Sequence, residues 1–419
     1  MPIVTLALRS VANRKATAGL VVFAIGLSVA LLLGVERVRT EAKASFANTV
    51  SGTDLVVGAR SGALPLLLYS VFRIGNATNN ISWKSYRTIA RSPGIAWTIP
   101  FSLGDSHRGF RVLGTDLSYF EHYRYGRRNR LSFAAGGPFD DVFDAVLGAE
   151  VAAALGYRTG DPIVVSHGLG AQGISDHADK PFRVAGILAR TGTPVDRTVH
   201  VSLEGIEAIH VDWRHGAPIP GLAVSAEAVR GMDLTPKTIT AFLVGLESRL
   251  AVFGLQRRIN EYRAEPLLAI LPGVALQELW DLMGTAEAAL SAISVFVVAT
   301  GLLCMMATML AGLGERRREM AILRSVGARP AHVFGLLVAE ALALTIAGIA
   351  VGLGIFYAAL AIAQPTVSAS YGLYLPVAPP TSREFLFLAL VVFAGALSGA
   401  IPAWRAYAQS LADGMTART

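Results

Sequence analysis

Four stretches of this chain are too long and too apolar to be ordinary core segments, and they restrict its fold before any motif is read. Residues 16–35, 286–310, 333–363 and 385–401 carry at most one acidic or basic side chain each. A helix rises 1.5 Å per residue, so about 20 such residues cross the roughly 30 Å of bilayer hydrocarbon. Four transmembrane helices (TM1 to TM4) are expected at these positions. Between the first two, residues 36–284 hold no apolar run long enough to span. The expected fold class is therefore membrane α-helical, with an α/β extracytoplasmic domain inserted between helices 1 and 2. A rival reading makes the first run a signal peptide cleaved after Ala42-Lys43-Ala44. Signal peptides carry shorter apolar cores of about 7–15 residues, and Glu36, Arg37 and Arg39 separate the run from that site. An uncleaved anchor fits better.

The net charge of +7 could point to nucleic acid. The arginines, however, gather beside the apolar runs, where basic residues mark the cytoplasmic side, and no basic patch alternates with aromatics as strand binding requires. With four spans, the leader 1–15, the segment 311–332 and the tail 402–419 fall on one side. Both termini are thus expected in the cytoplasm of a plasma-membrane protein. The leader places Ile3, Leu6, Leu8 and Val11 at the spacing of a short interfacial helix. The single cysteine, Cys304, lies inside an apolar run and excludes an intrachain disulfide or a cysteine zinc cluster.

Within the outer domain, β-branched and aromatic residues predict strands at 54–57, 95–101, 110–113, 163–165, 182–188, 198–201 and 238–244. Helices are predicted at 83–91, 148–155, 203–209 and 250–262. After Pro272, helical spacing over 274–290 runs into the second apolar segment, so one helix should leave the membrane and enter the domain as a lever. A proline-containing loop, 364–384, joins the last two spans.

Between the second and third spans lies E-R-R-R-E-M-A-I-L-R-S-V-G-A-R, residues 315–329. Its five arginines and two glutamates must sit in water, since each would cost about 2.5–3.5 kcal/mol in hydrocarbon. Met320, Ile322, Leu323 and Val326 recur against Arg316, Arg317, Arg324 and Arg329, the pattern of a short helix on a membrane face, with Gly327 placed to end it. This segment resembles the intracellular coupling segment of FtsX/MacB-type ABC-transporter permeases. The opening L-A-L-R-S-V-A-N-R-K, the stretch V-L-G-A-E-V-A-A-A-L-G-Y-R-T-G-D-P-I-V-V and the tail at Pro402, Ala403, Arg405 and Ala406 resemble the same family, although the tail lacks the second proline.

The resemblance implies a periplasmic core domain of two lobes, 45–116 with 235–277, and 117–234. It also implies an ATPase that grips Glu315, Arg316, Glu319, Met320, Ile322, Leu323, Arg324, Gly327 and Arg329. That ATPase is expected on a separate cytoplasmic chain. A P-loop needs lysine after glycine, and none of Lys15, Lys43, Lys84, Lys180 and Lys237 follows one. ATP and magnesium are accordingly expected on the partner, with no cofactor in this chain. Other expected partners are a second copy, the lipid bilayer and a periplasmic protein; no nucleic acid is expected. No Ser/His/Asp or Cys/His arrangement stands out, so the chain reads as a non-catalytic permease subunit transmitting ATP-driven motion outward. In the family this serves export, lipoprotein release or mechanotransmission to cell-wall enzymes. An ATPase-independent binding or sensing module is the alternative. A weaker one is a subunit of a metal-uptake-linked complex.

Gly348 with Gly352, and Gly395 with Gly399, form small-residue pairs that permit close helix approach, within one chain or between two. Glu340, inside the third run, reads as a structural partner for a coupling-segment arginine rather than as a proton relay. His167 and His177 are weak metal candidates, and His210, Asp212 and His215 form a second group. Neither set has zinc-enzyme spacing, so solvated loop residues are the expectation.

Overall fold

The computed structural model describes residues 15–49, 51–168, 175–214, 217–218, 224–325, 327–371 and 376–412. Residues 1–14 of the leader, His215 and the tail after Ala412 lie outside the described residues. The chain divides into two compact units, one built from the long apolar helices and the other mainly Ala42–Met283.

The helical unit draws on α1 (Lys15–Thr49), α3 (Pro272–Ser325), α4 (Pro330–Tyr371) and α5 (Ser382–Ala412). All four are long and apolar enough to cross a membrane. Each outruns the apolar run that announces it, because a helix stops where its backbone chemistry changes and not where its hydrophobicity does. No glycine or proline falls between Val35 and Thr49, so α1 continues. Pro272 and Pro330 open α3 and α4 at the position where a missing N–H is harmless. The loop expected at 364–384 is shorter than the sequence reading, since α4 persists to Tyr371, one residue before Gly372.

Glycines let these helices meet at backbone distance. A Cβ on Gly352 would stand 2.7 Å from the carbonyl oxygen of Gly26, and one on Gly348 would stand 2.6 Å from Ile25. Gly395 and Gly399 lie likewise against Thr345 and Ala341, joining α5 to α4. Both pairs therefore pack within the chain. Ser28 donates to the carbonyl oxygen of Val297 at 3.1 Å, tying α1 to α3. Glu340 is buried.

At one end of this unit Arg37 and Glu384 form a two-pronged ion pair, with both contacts at 2.8 Å and side chains 2% and 1% exposed. The Arg37 guanidinium also donates to the carbonyl of Pro376 at 3.2 Å, and Tyr357 donates to that of Ala378 at 3.0 Å. Arg37 lies beyond the apolar part of α1, whereas Glu384 precedes that of α5. The two helices thus run antiparallel, and the Lys15 and Ala412 ends share the opposite end of the unit.

The second unit is organised around one long strand. The path runs β11 (Leu267–Ile270), β1 (Leu55–Ala59), β10 (Ala241–Leu246), β2 (Ile95–His107), β3 (Phe110–Thr115), β9 (Thr198–Ser202), β5 (Asp144–Leu147), β8 (Phe182–Leu188), β4 (Phe133–Gly136). Strand β2 pairs with β10 from Ile95 to Phe101 and with β3 from Ser102 to His107. Strand β3, in the first expected lobe, pairs in turn with β9 in the second, so the two expected lobes share one sheet, and a single apolar cluster reaches from Val56 and Leu243 to Val146 and Leu188. Parallel pairing occurs at β3 with β9 and at β5 with β8. Helix α2 (Leu203–His210) follows β9 directly, capped by the Ser202 hydroxyl accepting from the Gly205 N–H at 2.9 Å. The predicted strand 238–244 is broken at Thr240, whose hydroxyl instead accepts from the Leu103 N–H at 3.0 Å.

His200, on β9, is fully buried between the Val146 carbonyl and the Tyr119 hydroxyl. Burial, reinforced by the Arg73 charge, holds its pKa down at about 3. An unfolded histidine titrates near 6.5. The neutral ring's stabilisation is therefore present above pH 6.5 and is lost as the pH falls toward 3. In acid-unfolding curves, the His200→Asn variant is expected to show a shallower loss of stability across this window than the unaltered chain. Parallel curves would show that His200 does not contribute.

Candidate functional site

The expected ATPase-coupling segment is the end of the span helix itself. Helix α3 runs without interruption to Ser325, so residues 315–325 are its last turns and not a separate surface helix. Gly314 does not break it, as an interior glycine costs only about 1 kcal/mol. Gly327 has φ 97°, the left-handed region that favours glycine. Past it, the Arg329 N–H donates to His332 Nδ1 at 3.0 Å while the His332 N–H returns to the Arg329 carbonyl at 2.8 Å, fixing the start of α4. Ile322 is 58% exposed, a large apolar side chain displayed near a helix end. The side chains of Glu315, Arg316, Glu319, Met320, Leu323 and Arg324 lie outside the described residues.

In the second unit the fold assembles a cluster that sequence spacing conceals. Strand β6 (Ser166–His167) pairs antiparallel with the far end of β2, setting His167 directly opposite Asp105. Its other neighbour is β7 (Ser175–Asp176), which His177 follows, and His210 is the last residue of α2. One donor atom from each of Asp105, His167, His177 and His210 lies within 4.8 Å of all the others. His167 Nδ1 is 3.1 Å from Asp105 Oδ1 and 3.2 Å from His210 Nε2, and His210 Nε2 is 3.7 Å from the same carboxylate oxygen. His210 Nδ1 donates to the Ile206 carbonyl at 2.8 Å. The hydrogen bond to Asp105 raises the pKa of His167, whereas burial and the neighbouring His210 push His177 down to about 4.

His177 is fully buried, contrary to the solvated-loop expectation, because Trp213 packs with its ring centroid 4.2 Å from the imidazole. Of the second sequence group, His210 joins the cluster. Asp212 instead accepts from buried Lys180 at 2.8 Å. Asp105 was missed altogether, since only the pairing of β6 with β2 brings it in.

Together these features define a multi-span membrane protein with a mixed α/β domain between its first two helices. The chain belongs to the FtsX/MacB-type ABC-transporter permease family: the MacB-like periplasmic core domain matches residues 16–240, over half the chain, and the FtsX-like permease C-terminal region matches 291–411. Among solved structures, the periplasmic region of MacB from Actinobacillus actinomycetemcomitans is 12% identical with a TM-score of 0.32, covering 58% of this chain and 97% of that one. The extracellular domain of the noncanonic ABC-type transporter YknZ from Gram-positive bacteria is 11% identical with a TM-score of 0.31, covering 52% and 99%. No curated protein matches the chain.

Proposed function

We propose that this chain is the membrane subunit of an ABC complex in which a separate cytoplasmic ATPase, carrying ATP and magnesium, binds the segment 315–329 and moves the extracytoplasmic domain. The observation that carries the reading is the single helix α3, which has outer-unit residues at one end and the arginine-rich segment at the other. A helix is stiff along its axis, so displacement of its last turns is passed along its length as a rigid-body motion. In this reading both termini are cytoplasmic, the chain itself is non-catalytic, and it works as a homodimer. Exposed Ile322 would fill a groove on the ATPase, with the arginines making charge-assisted contacts at its rim.

Co-purification tests this. The Met320→Ala/Gly327→Val double variant is expected to insert normally yet lose bound ATPase by about tenfold or more, equivalent to about 1.4 kcal/mol. ATPase recovery equal to that of the unaltered chain would defeat the proposal.

A further inference from the structure

We infer that Asp105, His167, His177 and His210 form a binding site for one divalent transition metal of the zinc class in the outer domain. The inference does not depend on ATPase coupling.

Three of the donor–donor distances match the edges of a tetrahedral coordination shell. Bonds of about 2.0–2.1 Å from a tetrahedral zinc place neighbouring donors about 3.3 Å apart. The three edges among Asp105, His167 and His210 measure 3.1, 3.2 and 3.7 Å, and His177 lies within 4.8 Å of each.

Protons alone leave this arrangement incomplete. Because His210 gives its Nδ1 proton to the Ile206 carbonyl, its Nε2 presents a lone pair toward His167 and Asp105. A proton on His167 Nδ1 bridges those groups, but both ring nitrogens of buried His177 still have no hydrogen-bond partner among the described residues. A buried imidazole without partners is rare in a folded protein. A cation at the centre would use the His177 lone pair together with the other three.

The donor set also selects the metal. Three imidazole nitrogens and one carboxylate suit zinc, cobalt, nickel or copper, whereas magnesium and calcium take oxygen shells. All four positions come from protein, so the site is of the closed, structural kind and not a hydrolytic one. Its ligands come from β2, β6, the turn after β7 and the end of α2, so binding would fasten these elements together. The side chains of His167 and His210 are 32% and 24% exposed, which leaves a solvent route for loading.

The test uses the full chain in detergent, purified through a histidine-free tag, stripped with EDTA and titrated with zinc or cobalt. The expected result is one equivalent bound per chain, tetrahedral cobalt bands in the visible spectrum, and a raised thermal midpoint. Loss of outer-shell partners alone weakens metal sites by about 10–100-fold. His177→Ala and the near-isosteric Asp105→Asn are therefore each expected to weaken binding by about 100-fold or more. The half-buried His122→Ala, outside the cluster, should not. Cobalt should also quench tryptophan fluorescence, and Trp213→Phe should remove most of that quenching. Should His177→Ala fail to fold, Asp105→Asn and the unaltered chain still decide the matter. Absence of stoichiometric zinc or cobalt binding, undiminished affinity in folded Asp105→Asn, or calcium binding as tight as zinc would each overturn the inference.

Discussion

Arg37→Ala is expected to destabilise the helical unit by about 3–5 kcal/mol, the usual penalty for leaving one member of a buried ion pair without the other. Glu384 is 1% exposed and meets the guanidinium through both oxygens, so losing Arg37 strands a buried carboxylate that keeps the Thr381 N–H but no longer has its countercharge. The carbonyls of Pro376, Ala378 and Pro379 lose the guanidinium at the same time, although the Ala378 carbonyl keeps the Tyr357 hydroxyl and the Pro376 carbonyl keeps the Ala378 N–H. Arg39 is a control on the same helix. It is 27% exposed and pairs with Glu36 one turn away, so Arg39→Ala should cost under about 1 kcal/mol. Replacing both Arg37 and Glu384 by leucine should recover much of the loss, because the penalty belongs to the uncompensated charge. Thermal unfolding in detergent gives the comparison. Equal midpoints for Arg37→Ala and Arg39→Ala would show that the pair is not what closes this end.

The second large effect is expected from Gly352→Leu. Its first added carbon would stand 2.7 Å from the Gly26 carbonyl oxygen and 2.8 Å from Val29 Cβ, so α1 would have to move away from α4. Overpacking of this kind costs about 1–3 kcal/mol and more where backbone must shift. Two residues along, a Cβ on exposed Gly354 meets nothing within 4 Å, so Gly354→Leu should be neutral or slightly stabilising. Both variants alter helix propensity alike, so their difference in thermal midpoint isolates the contact. No difference would mean that α1 and α4 do not approach as closely as described.

Much of the fold was legible because the membrane imposes a length rule on sequence. Runs of 17 to 31 apolar residues announced four helices, while β-branched and aromatic clusters such as 182–188 and 198–201 announced strands. Helix ends were less legible. Continuation of α1 to Thr49 and of α4 to Tyr371 follows from the placing of glycine and proline, which apolar content does not record. The small-residue pairs showed where backbones could meet, although only the structure names Gly26, Ala341 and Thr345 as what they meet.

The histidine cluster was illegible for a different reason. Asp105 and His167 are 62 residues apart and become neighbours through a strand of two residues, too short to leave a periodic trace. His177 and His210 then arrive from a turn and a helix end. Metal sites confined to one helix or one knuckle leave fixed spacings; a site collected by sheet pairing leaves none.

The ion pair at one end of the helical unit has a mechanical corollary. Clasped there and held at the middle of α1 by glycine contacts, the bundle behaves like a clothes-peg whose spring sits at the Arg37 end. Its jaws are then at the end holding Lys15 and Ala412, where any parting of α1 from its neighbours is expected to begin.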